Sequence, residues 1–395
     1  MNQFNPFEKY GIKRVINAAT SATTLGGTCP DPRVMQAMTE AARCFVYIPE
    51  LQASAGRYIA EVTGAEAGLP TAGAVAGLML GAAACIMKGT ELEKFDPIKG
   101  GHSWSYITTK LPVRTAGLRT DFIVQKPNRN SYDFSPELAG GHMVEVGASK
   151  EELKAAYDPK KTAGYYYTAR SRKNSLPLED VVEVAHSVDT PILVDAASEV
   201  PPKRKLRLYT NLGADLVVFS GGKHISGPNN SGFIVGRKDL IKLAHLQSYP
   251  FNGIGRSAKM SREAIVGLVE ALRIYIEHDE KQAFDGWMRT AEWMRDQLRE
   301  LPGVDTGITF QRTVEDGEPI APFTYIRLTS KAGITAKQLN QKLKEEDPVI
   351  YTLYEPWFLH DDCAGMLIIN PEYLLPEEAE LVVEKVKRIL RSQVG

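Results

Sequence analysis

The chain has 395 residues, of which 43% are hydrophobic and 24% are charged. These fractions are typical of globular proteins and exclude a fibrous or disordered chain, while the length predicts two or three domains. The 47 basic and 48 acidic residues give a formal net charge of −1, so nucleic acid is not expected as the main partner.

Three further features bear on where the protein works. No apolar h-region occurs near the N-terminus, so no signal peptide is predicted. The stretch from Ala67 to Met87 carries no charge and is long enough to span a bilayer, but it is rich in Gly and Ala and no basic flank precedes it. We therefore predict a buried helix there and no membrane contact. The widely spaced cysteines predict reduced thiols and a cytosolic protein; they are Cys29, Cys44, Cys85 and Cys363.

The middle of the chain alternates between helix and strand patterns. Apolar residues at helical spacing predict an amphipathic helix; they are Leu178, Val181, Val182 and Ala185. Three short apolar runs follow, at residues 191–195, 214–220 and 232–236. Apolar strands separated by helices predict an α/β fold whose sheet is covered on both faces. In such sheets the chemistry lies at the carboxyl ends of the strands.

The pattern changes from Arg262 onward. Residues 264–278 predict a long helix, and a helix of roughly 25–30 residues is expected to join two domains. Further elements are a helix marked by Trp287, Ala291, Met294 and Leu298, a half-exposed strand at 323–329, and a terminal helix from Pro376 to Arg391. A large α/β domain therefore precedes a smaller α+β domain.

Common catalytic and nucleotide-binding motifs are absent from the sequence. It contains no G-x-x-x-x-G-K-[ST], no G-x-S-x-G and no H-E-x-x-H, and FNGIGRS lacks the third glycine of a dinucleotide fingerprint. Four adjacent residues resemble metal ligands by type: His360, Asp361, Asp362 and Cys363. Consecutive loop residues rarely converge on one ion, so we predict a solvated loop and no metal.

A lysine and an aspartate follow consecutive predicted strands. Lys223 lies in the turn Ser220-Gly221-Gly222-Lys223, and Asp195 ends the strand before it. Taken alone, Lys223 fits an ordinary surface loop and Asp195 fits a helix cap. Taken together, they supply what pyridoxal phosphate requires, because a lysine forms a Schiff base with its aldehyde and an aspartate keeps its ring nitrogen protonated.

A phosphate site is predicted where the Gly/Ala-rich helix begins. Small residues from Pro70 to Ala74 leave backbone N–H groups accessible, and a helix N-terminus carries partial positive charge. The same small residues also suit close helix packing. Ser220, three residues before Lys223, supplies a hydroxyl for the same phosphate. The order of helix start, aspartate and Ser-x-x-Lys therefore predicts a pyridoxal phosphate site.

Several segments between about residues 11 and 272 carry a family resemblance. They are VINAATSATTLGG, PTAGAVAGL, NSYDF…GGHMVEVG, TPILVDAASEVPP, VVFSGGKHISGPNNSGFIVGRKDLI and GIGRSAKMSREAIVGLVEAL. Together they resemble fold-type I pyridoxal phosphate enzymes, in the branch of selenocysteine synthase and D-glucosaminate-6-phosphate ammonia-lyase. The resemblance implies a mostly parallel seven-stranded sheet in a large domain at 49–265 and a small α+β domain at 266–395. It also implies that the segment 1–48 packs on the small domain or on a dimer partner.

The resemblance implies a role for individual residues. Lys223 would carry the cofactor and move the α-proton, Asp195 would pair with the ring nitrogen, and Ser198 would lie near the ring hydroxyl. The phosphate would be held by Thr71, Gly73, Ala74 and Ser220. Arg256 in GIGR would lie near the phosphate or the substrate, across a dimer interface, although a surface or helix-capping arginine explains it equally well.

Two segments depart from the family pattern. Pro127-Asn128-Arg129 stands where members often carry Gly-His-Arg, which leaves the residue that stacks on the ring unassigned. The loop around His102 and Trp104 is diverged, so these two side chains are candidates for substrate specificity, or for packing.

We expect a cytosolic homodimer, or a multiple of one, that removes the α-proton of an amino acid or amino sugar acid. β-Elimination to a keto acid and ammonia is favoured, by analogy with the ammonia-lyase. A racemase, epimerase or aldolase remains open, because these share Lys223 and Asp195. Selenium transfer on seryl-tRNA is less favoured, since the family match begins within about a dozen residues and leaves no room for an RNA-binding domain. The alternative outside catalysis is a pyridoxal-phosphate-binding regulator.

Overall fold

The structure is a computed structural model that describes residues 5–99, 103–170, 174–359 and 363–393. Its strands are, in chain order, β1 Val15–Asn17, β2 Ala67–Thr71, β3 Asp121–Gln125, β4 His142–Val146, β5 Thr162–Thr168, β6 Ile192–Asp195, β7 Leu216–Ser220, β8 Gly232–Gly236, β9 Val304–Arg312, β10 Pro319–Leu328, β11 Val349–Tyr351, β12 Leu353–Tyr354 and β13 Leu367–Ile369. Its α-helices are α1 Pro32–Ala42, α2 Ile48–Thr63, α3 Ala74–Met87, α4 Ser105–Thr108, α5 Ser135–Leu138, α6 Lys150–Ala155, α7 Leu178–Ser187, α8 Lys205–Asn211, α9 Lys238–Gln247, α10 Arg262–Glu277, α11 Glu280–Leu298, α12 Ala336–Lys344 and α13 Pro376–Arg391.

The larger compact unit, Thr28–His278, is built on a seven-stranded sheet in the order β2-β8-β7-β6-β5-β3-β4. Strand β8 is antiparallel to both of its neighbours, and the remaining pairs are parallel. The mostly parallel seven-stranded sheet confirms the predicted fold class. Strands β7, β6 and β5 are parallel and adjacent near the middle, so their carboxyl ends lie at one edge.

Both faces of this sheet are buried, as the continuous apolar runs predict. Along β6, Ile192 and Val194 belong to one hydrophobic cluster and Leu193 belongs to the other, because successive strand residues point to opposite faces. Helices α2, α7 and α10 contribute side chains to the first cluster, and α3 and α9 contribute to the second. The sheet is therefore a rigid support for the loops at its carboxyl edge.

The uncharged stretch from Ala67 to Met87 forms two elements rather than one helix. Its first residues form the edge strand β2, and α3 begins only after Gly73, whose φ of +89° is a conformation that favours glycine. Small residues let α3 lie close to the sheet, since a Cβ at Gly81 would be 2.7 Å from Leu193 Cδ1. Among the described residues, no helix is both long and apolar enough to cross a membrane.

The smaller compact unit combines Met1–Gly27 with Asp279–Gly395. It contains an antiparallel sheet in the order β12-β13-β10-β9 and a parallel pair formed by β1 and β11. Helices α11, α12 and α13 bury apolar side chains in its core, including Met294, Leu339 and Val386. The terminal helix α13 has the bounds predicted from the sequence, with proline at its first turn.

The prediction of a single joining helix of roughly 25–30 residues is wrong, because two shorter helices occupy this region. Helix α10 ends at Glu277 and α11 begins at Glu280, because the side chain of Asp279 caps α11 by accepting a hydrogen bond from Gln282 N. The buried face of α10 belongs to the core of the larger unit. The units therefore divide at 27/28 and 278/279, whereas the sequence places the limits at 48/49 and 265/266.

Candidate active site

The loops that follow β5, β6 and β7 leave the sheet side by side. These strands end at Thr168, Asp195 and Ser220, and Thr168 pairs with Asp195 in register. Because neighbouring parallel strands end at the same edge, this edge is where an α/β sheet places its ligand site. Asp195 and Lys223 thus lie at the ends of adjacent strands.

The carboxylate of Asp195 is buried and is only partly satisfied by the protein. Its residue is 8% exposed, and Oδ1 accepts one hydrogen bond, from Ala197 N at 3.0 Å. It makes no ion pair within 4.0 Å with any described residue. Burial raises its pKa, while the hydrogen bond from Ala197 and the charge of Lys223 partly offset this shift. A carboxylate has about four acceptor positions, so Asp195 retains capacity for a further donor.

Lys223 is presented by a turn that only glycine permits. A Cβ at Gly222 would lie 2.7 Å from Asn229 Cα, and one at Gly221 would lie 2.4 Å from Ser231 Oγ. The amine of Lys223 makes no hydrogen bond or ion pair with the described residues, although the residue is half-buried. Burial lowers its pKa, the charge of Asp195 opposes this shift, and that of Arg170 adds to it. A lysine in such surroundings is available as a nucleophile and base.

Two of the four residues predicted to hold the phosphate, Thr71 and Ser220, lie in one row across three strands. Thr71 of β2 pairs with Gly232 of β8, which in turn pairs with Ser220 of β7. A Cβ at Gly232 would be 2.7 Å from Gly73 C and 3.0 Å from Ala74 N. The missing side chain of Gly232 therefore lets β8 approach the start of α3 closely.

The start of α3 has backbone donors and no side-chain cap. Thr71 Oγ1 donates to Gly73 O at 2.9 Å, which fixes the turn, but no side chain accepts from the first N–H groups of the helix. Residues 72–75 are half-exposed, whereas the helix after them is buried. A half-exposed, uncapped helix N-terminus near the strand end that carries Ser220 is suited to a phosphate group.

Arg256 is not brought to these residues within the chain. Its side chain is exposed, and its guanidinium lies 5.4 Å from the centre of the Tyr249 ring. Among the described residues, no contact joins it to Asp195, Lys223 or Ser220. Its role therefore stays a prediction that needs a second chain.

Arg170 and Glu199 are charged neighbours of the site that sequence reasoning missed. Arg170 follows the end of β5 and donates to Ser198 O at 3.4 Å, and Glu199 follows Ser198. The charges of both residues act on Lys223. No motif marks them, because their position depends on strand order rather than on local spacing.

The residues of the diverged segments have structural roles where they are described. Trp104 is 1% exposed and packs against Phe251, so it belongs to the core. Asn128 is fully buried and is hydrogen-bonded to both the N–H and the carbonyl of Thr168, so it is not available to stack on a ring. Arg129 pairs with acidic side chains.

His102 and the segment 360–362 lie outside the described residues. Within the described part, no group of three acidic, His or Cys side chains is arranged for a metal.

These residues fit pyridoxal phosphate on three counts. A buried carboxylate with spare acceptor capacity suits a protonated ring nitrogen. A half-buried amine suits covalent attachment to an aldehyde. The glycine-lined helix start at Gly73 and Ala74, next to Ser220, suits a phosphate.

Comparisons with known proteins agree with this fit. The family model for L-seryl-tRNA selenium transferase matches residues 161–285. A 5'-C-glycyluridine monooxygenase-decarboxylase from Streptomyces sp is 30% identical over 98% of this chain and 93% of that protein. D-glucosaminate-6-phosphate ammonia lyase from Salmonella typhimurium is 29% identical over 98% of each chain. A solved structure of D-glucosaminate-6-phosphate ammonia-lyase matches with a TM-score of 0.83, at 28% identity over 100% of both chains.

The fold and the site define the protein as a fold-type I enzyme whose cofactor is pyridoxal phosphate and whose substrate is a small molecule. The chain belongs to the family of pyridoxal-phosphate-dependent enzymes that contains D-glucosaminate-6-phosphate ammonia-lyase and is related to the L-seryl-tRNA selenium transferases.

Proposed function

We propose that the protein is an ammonia-lyase that acts on an amino acid or amino sugar acid bearing a β-hydroxyl. In the net reaction the 2-amino-3-hydroxy acid loses its amino group as ammonia and becomes a 2-keto-3-deoxy acid. The observation that carries the proposal is the half-buried amine of Lys223 beside the buried Asp195, in a chain similar over nearly its full length to an ammonia lyase.

The chain's own residues divide the work. When bound, pyridoxal phosphate supplies an electron sink for the electron pair left at the substrate's α-carbon. Lys223 attaches the cofactor and then takes the α-proton at Nζ, because burial lowers the pKa of its amine and so favours the neutral form, which can accept a proton. Asp195 would accept a hydrogen bond from the ring nitrogen and keep the proton on it. Ser198, which follows Asp195 by three residues, would hold the ring hydroxyl.

Separate residues would bind the anionic groups of the cofactor and of the substrate. Thr71, Gly73, Ala74 and Ser220 would hold the cofactor phosphate at the start of α3. Arg170 holds the carboxylate of the substrate, because it is the cation from the neighbouring strand end that acts on Lys223.

Oxidative decarboxylation is a second candidate. The relative with 30% identity over 98% of this chain has the name of a monooxygenase-decarboxylase, a chemistry that the sequence did not suggest. The same Lys223 and Asp195 would serve it, but the reaction would consume O₂ and release CO₂ from the carboxylate.

A substrate screen separates the candidates. The holoenzyme is incubated with D- and L-β-hydroxy amino acids and amino sugar acids, with and without a phosphate group, in D₂O. The proposal predicts ammonia and keto acid in equal amounts, with deuterium at the product's new C–H bonds and no O₂ uptake. O₂ uptake with CO₂ release supports the second candidate, while α-exchange without ammonia indicates a racemase and an aldehyde product indicates an aldolase. A Lys223→Ala variant is the matched control.

We further propose a homodimer, or a multiple of one, located in the cytosol. The exposure of Arg256 in the single chain leaves it available to a partner's site, and the four cysteines are free thiols. Mixing Lys223→Ala and Arg256→Ala subunits should restore part of the activity, because one composite site in the mixed dimer is intact. Sedimentation showing an active 43.5 kDa monomer would overturn the dimer, and a verified mixed dimer without activity would overturn the shared role of Arg256.

A further inference from the structure

A buried ion pair links Glu199, which ends the turn that follows Asp195, to helix α8. Glu199 Oε2 accepts a hydrogen bond from Lys205 Nζ at 2.8 Å and another from Tyr209 OH at 2.7 Å. The side chains of Glu199 and Lys205 are 1% and 3% exposed. The second carboxylate oxygen, Glu199 Oε1, is buried and has no hydrogen-bond partner among the described residues. Compensation of this buried charge therefore comes through Oε2.

The ion pair is attached to the turn that presents the site residues. Asp195 Oδ1 accepts from Ala197 N, and Ala196 O accepts from Glu199 N at 3.1 Å. Ser198 lies inside this double turn. Because the side chain of Glu199 is held by Lys205 and Tyr209 on α8, the far end of the turn is fixed to that helix.

The charge of Glu199 also reaches the reacting groups. It acts on both Asp195 and Lys223, and in each case it raises the pKa. The other charged groups that act on Lys223 are Asp195 and Arg170, and Asp133 acts in addition on Asp195. A second carboxylate so close to Asp195 would disfavour the ionised form of Asp195 unless its own charge were compensated.

Stability alone does not account for such a pair. Replacing a buried ion pair by packed neutral residues is often neutral or stabilising, while removing one partner leaves a costly buried charge. Its place four residues after Asp195 suggests a role in the site.

We propose that Glu199 and Lys205 form a positioning pair for the cofactor site, which fixes the Asp195–Ser198 turn to α8 and in which Lys205 compensates the negative charge of Glu199. The inference rests on the proposed roles of Lys223 and Asp195. It predicts effects of opposite sign when either partner is neutralised. A Glu199→Gln variant leaves the positive charge of Lys205 without its partner, whereas Lys205→Met leaves the negative charge of Glu199 without its partner.

The test is a spectroscopic pH titration of the holoenzyme without substrate. Its readout is the pH midpoint of the cofactor's visible absorbance change, which reports the protonation of the nitrogen that joins the cofactor to Lys223. Glu199→Gln should lower the midpoint by about one unit and Lys205→Met should raise it by about one unit, because a nearby charge shifts a pKa by this order. The double variant should return close to the wild-type midpoint, and Lys205→Arg should keep it.

A matched control is Lys150→Met, which removes a lysine from an exposed ion pair with Asp180 and Glu183. It should leave the midpoint unchanged, because exposed charges are screened. If Lys205→Met does not fold, Glu199→Gln and the double variant still decide between the outcomes. Unshifted midpoints, or shifts of the same sign in both single variants, would overturn the positioning pair. If borohydride reduction of wild type attaches the cofactor to another lysine, the proposed function itself fails and not only this inference.

Discussion

Gly232 offers the sharpest test of the phosphate site. Substituting Ala places a Cβ 2.7 Å from Gly73 C, 2.8 Å from Phe219 O and 3.0 Å from Ala74 N. All three are backbone atoms, so no side chain can rotate away and the start of α3 must shift. Overpacking of this kind costs about 1–3 kcal/mol. If that cost falls on the helix start that holds the phosphate, affinity for pyridoxal phosphate drops by about 5- to 150-fold.

The assay is a titration of the cofactor-free protein with pyridoxal phosphate and, separately, with pyridoxal. The loss in Gly232→Ala should be large for the phosphorylated form and small for pyridoxal, which lacks the group that the helix start holds. Gly81→Ala is the matched control. Gly81 lies further along α3, and a Cβ there would meet only side-chain atoms, those of Leu193 and Ile234. This variant should lower thermal stability without changing the ratio of the two affinities. A folded Gly232→Ala variant with the wild-type affinity ratio would refute the phosphate site.

Two further substitutions probe the charges of the site. Asp195→Asn should reduce α-deuterium exchange by at least about 10²-fold, because it removes the charge that holds the ring nitrogen's proton; near wild-type exchange in this variant would contradict that role. Arg170→Gln should raise the pKa of Lys223, because the charge of Arg170 lowers it. In the cofactor-free protein, the pH midpoint for acylation of Lys223 should then move upward, with Arg207→Gln, a surface change, as the control. An unchanged midpoint would show that Arg170 does not act on this amine.

The sequence predicted the strand ends well because apolar runs are local. The runs before Asp195 and Ser220 mark buried parallel strands, and their order along the chain is also their order in the sheet. The break at Asp279 was not predicted, since the apolar periodicity continues on both sides of the cap. The sequence predicts one helix over Ala67–Met87 and misses strand β2, because a short apolar run is ambiguous between helix and strand.

The charged neighbours of the site depend on contacts that no local pattern encodes. Glu199 and Lys205 are six residues apart, and they meet because the chain turns back on itself after β6. Arg170 acts on Lys223 only because β5 lies beside β6. The sequence therefore indicates the cofactor and a candidate lysine for it, but not the charged residues around that lysine.

The central claim is that Lys223 carries the cofactor, and peptide mapping tests it most directly. The holoenzyme is reduced with borohydride, which makes the link between cofactor and lysine permanent, and its peptides are analysed by mass spectrometry. We predict the cofactor mass on the peptide containing Lys223, and its absence from a folded Lys223→Ala variant treated in the same way. A cofactor adduct on a different lysine of the wild-type protein would contradict the claim.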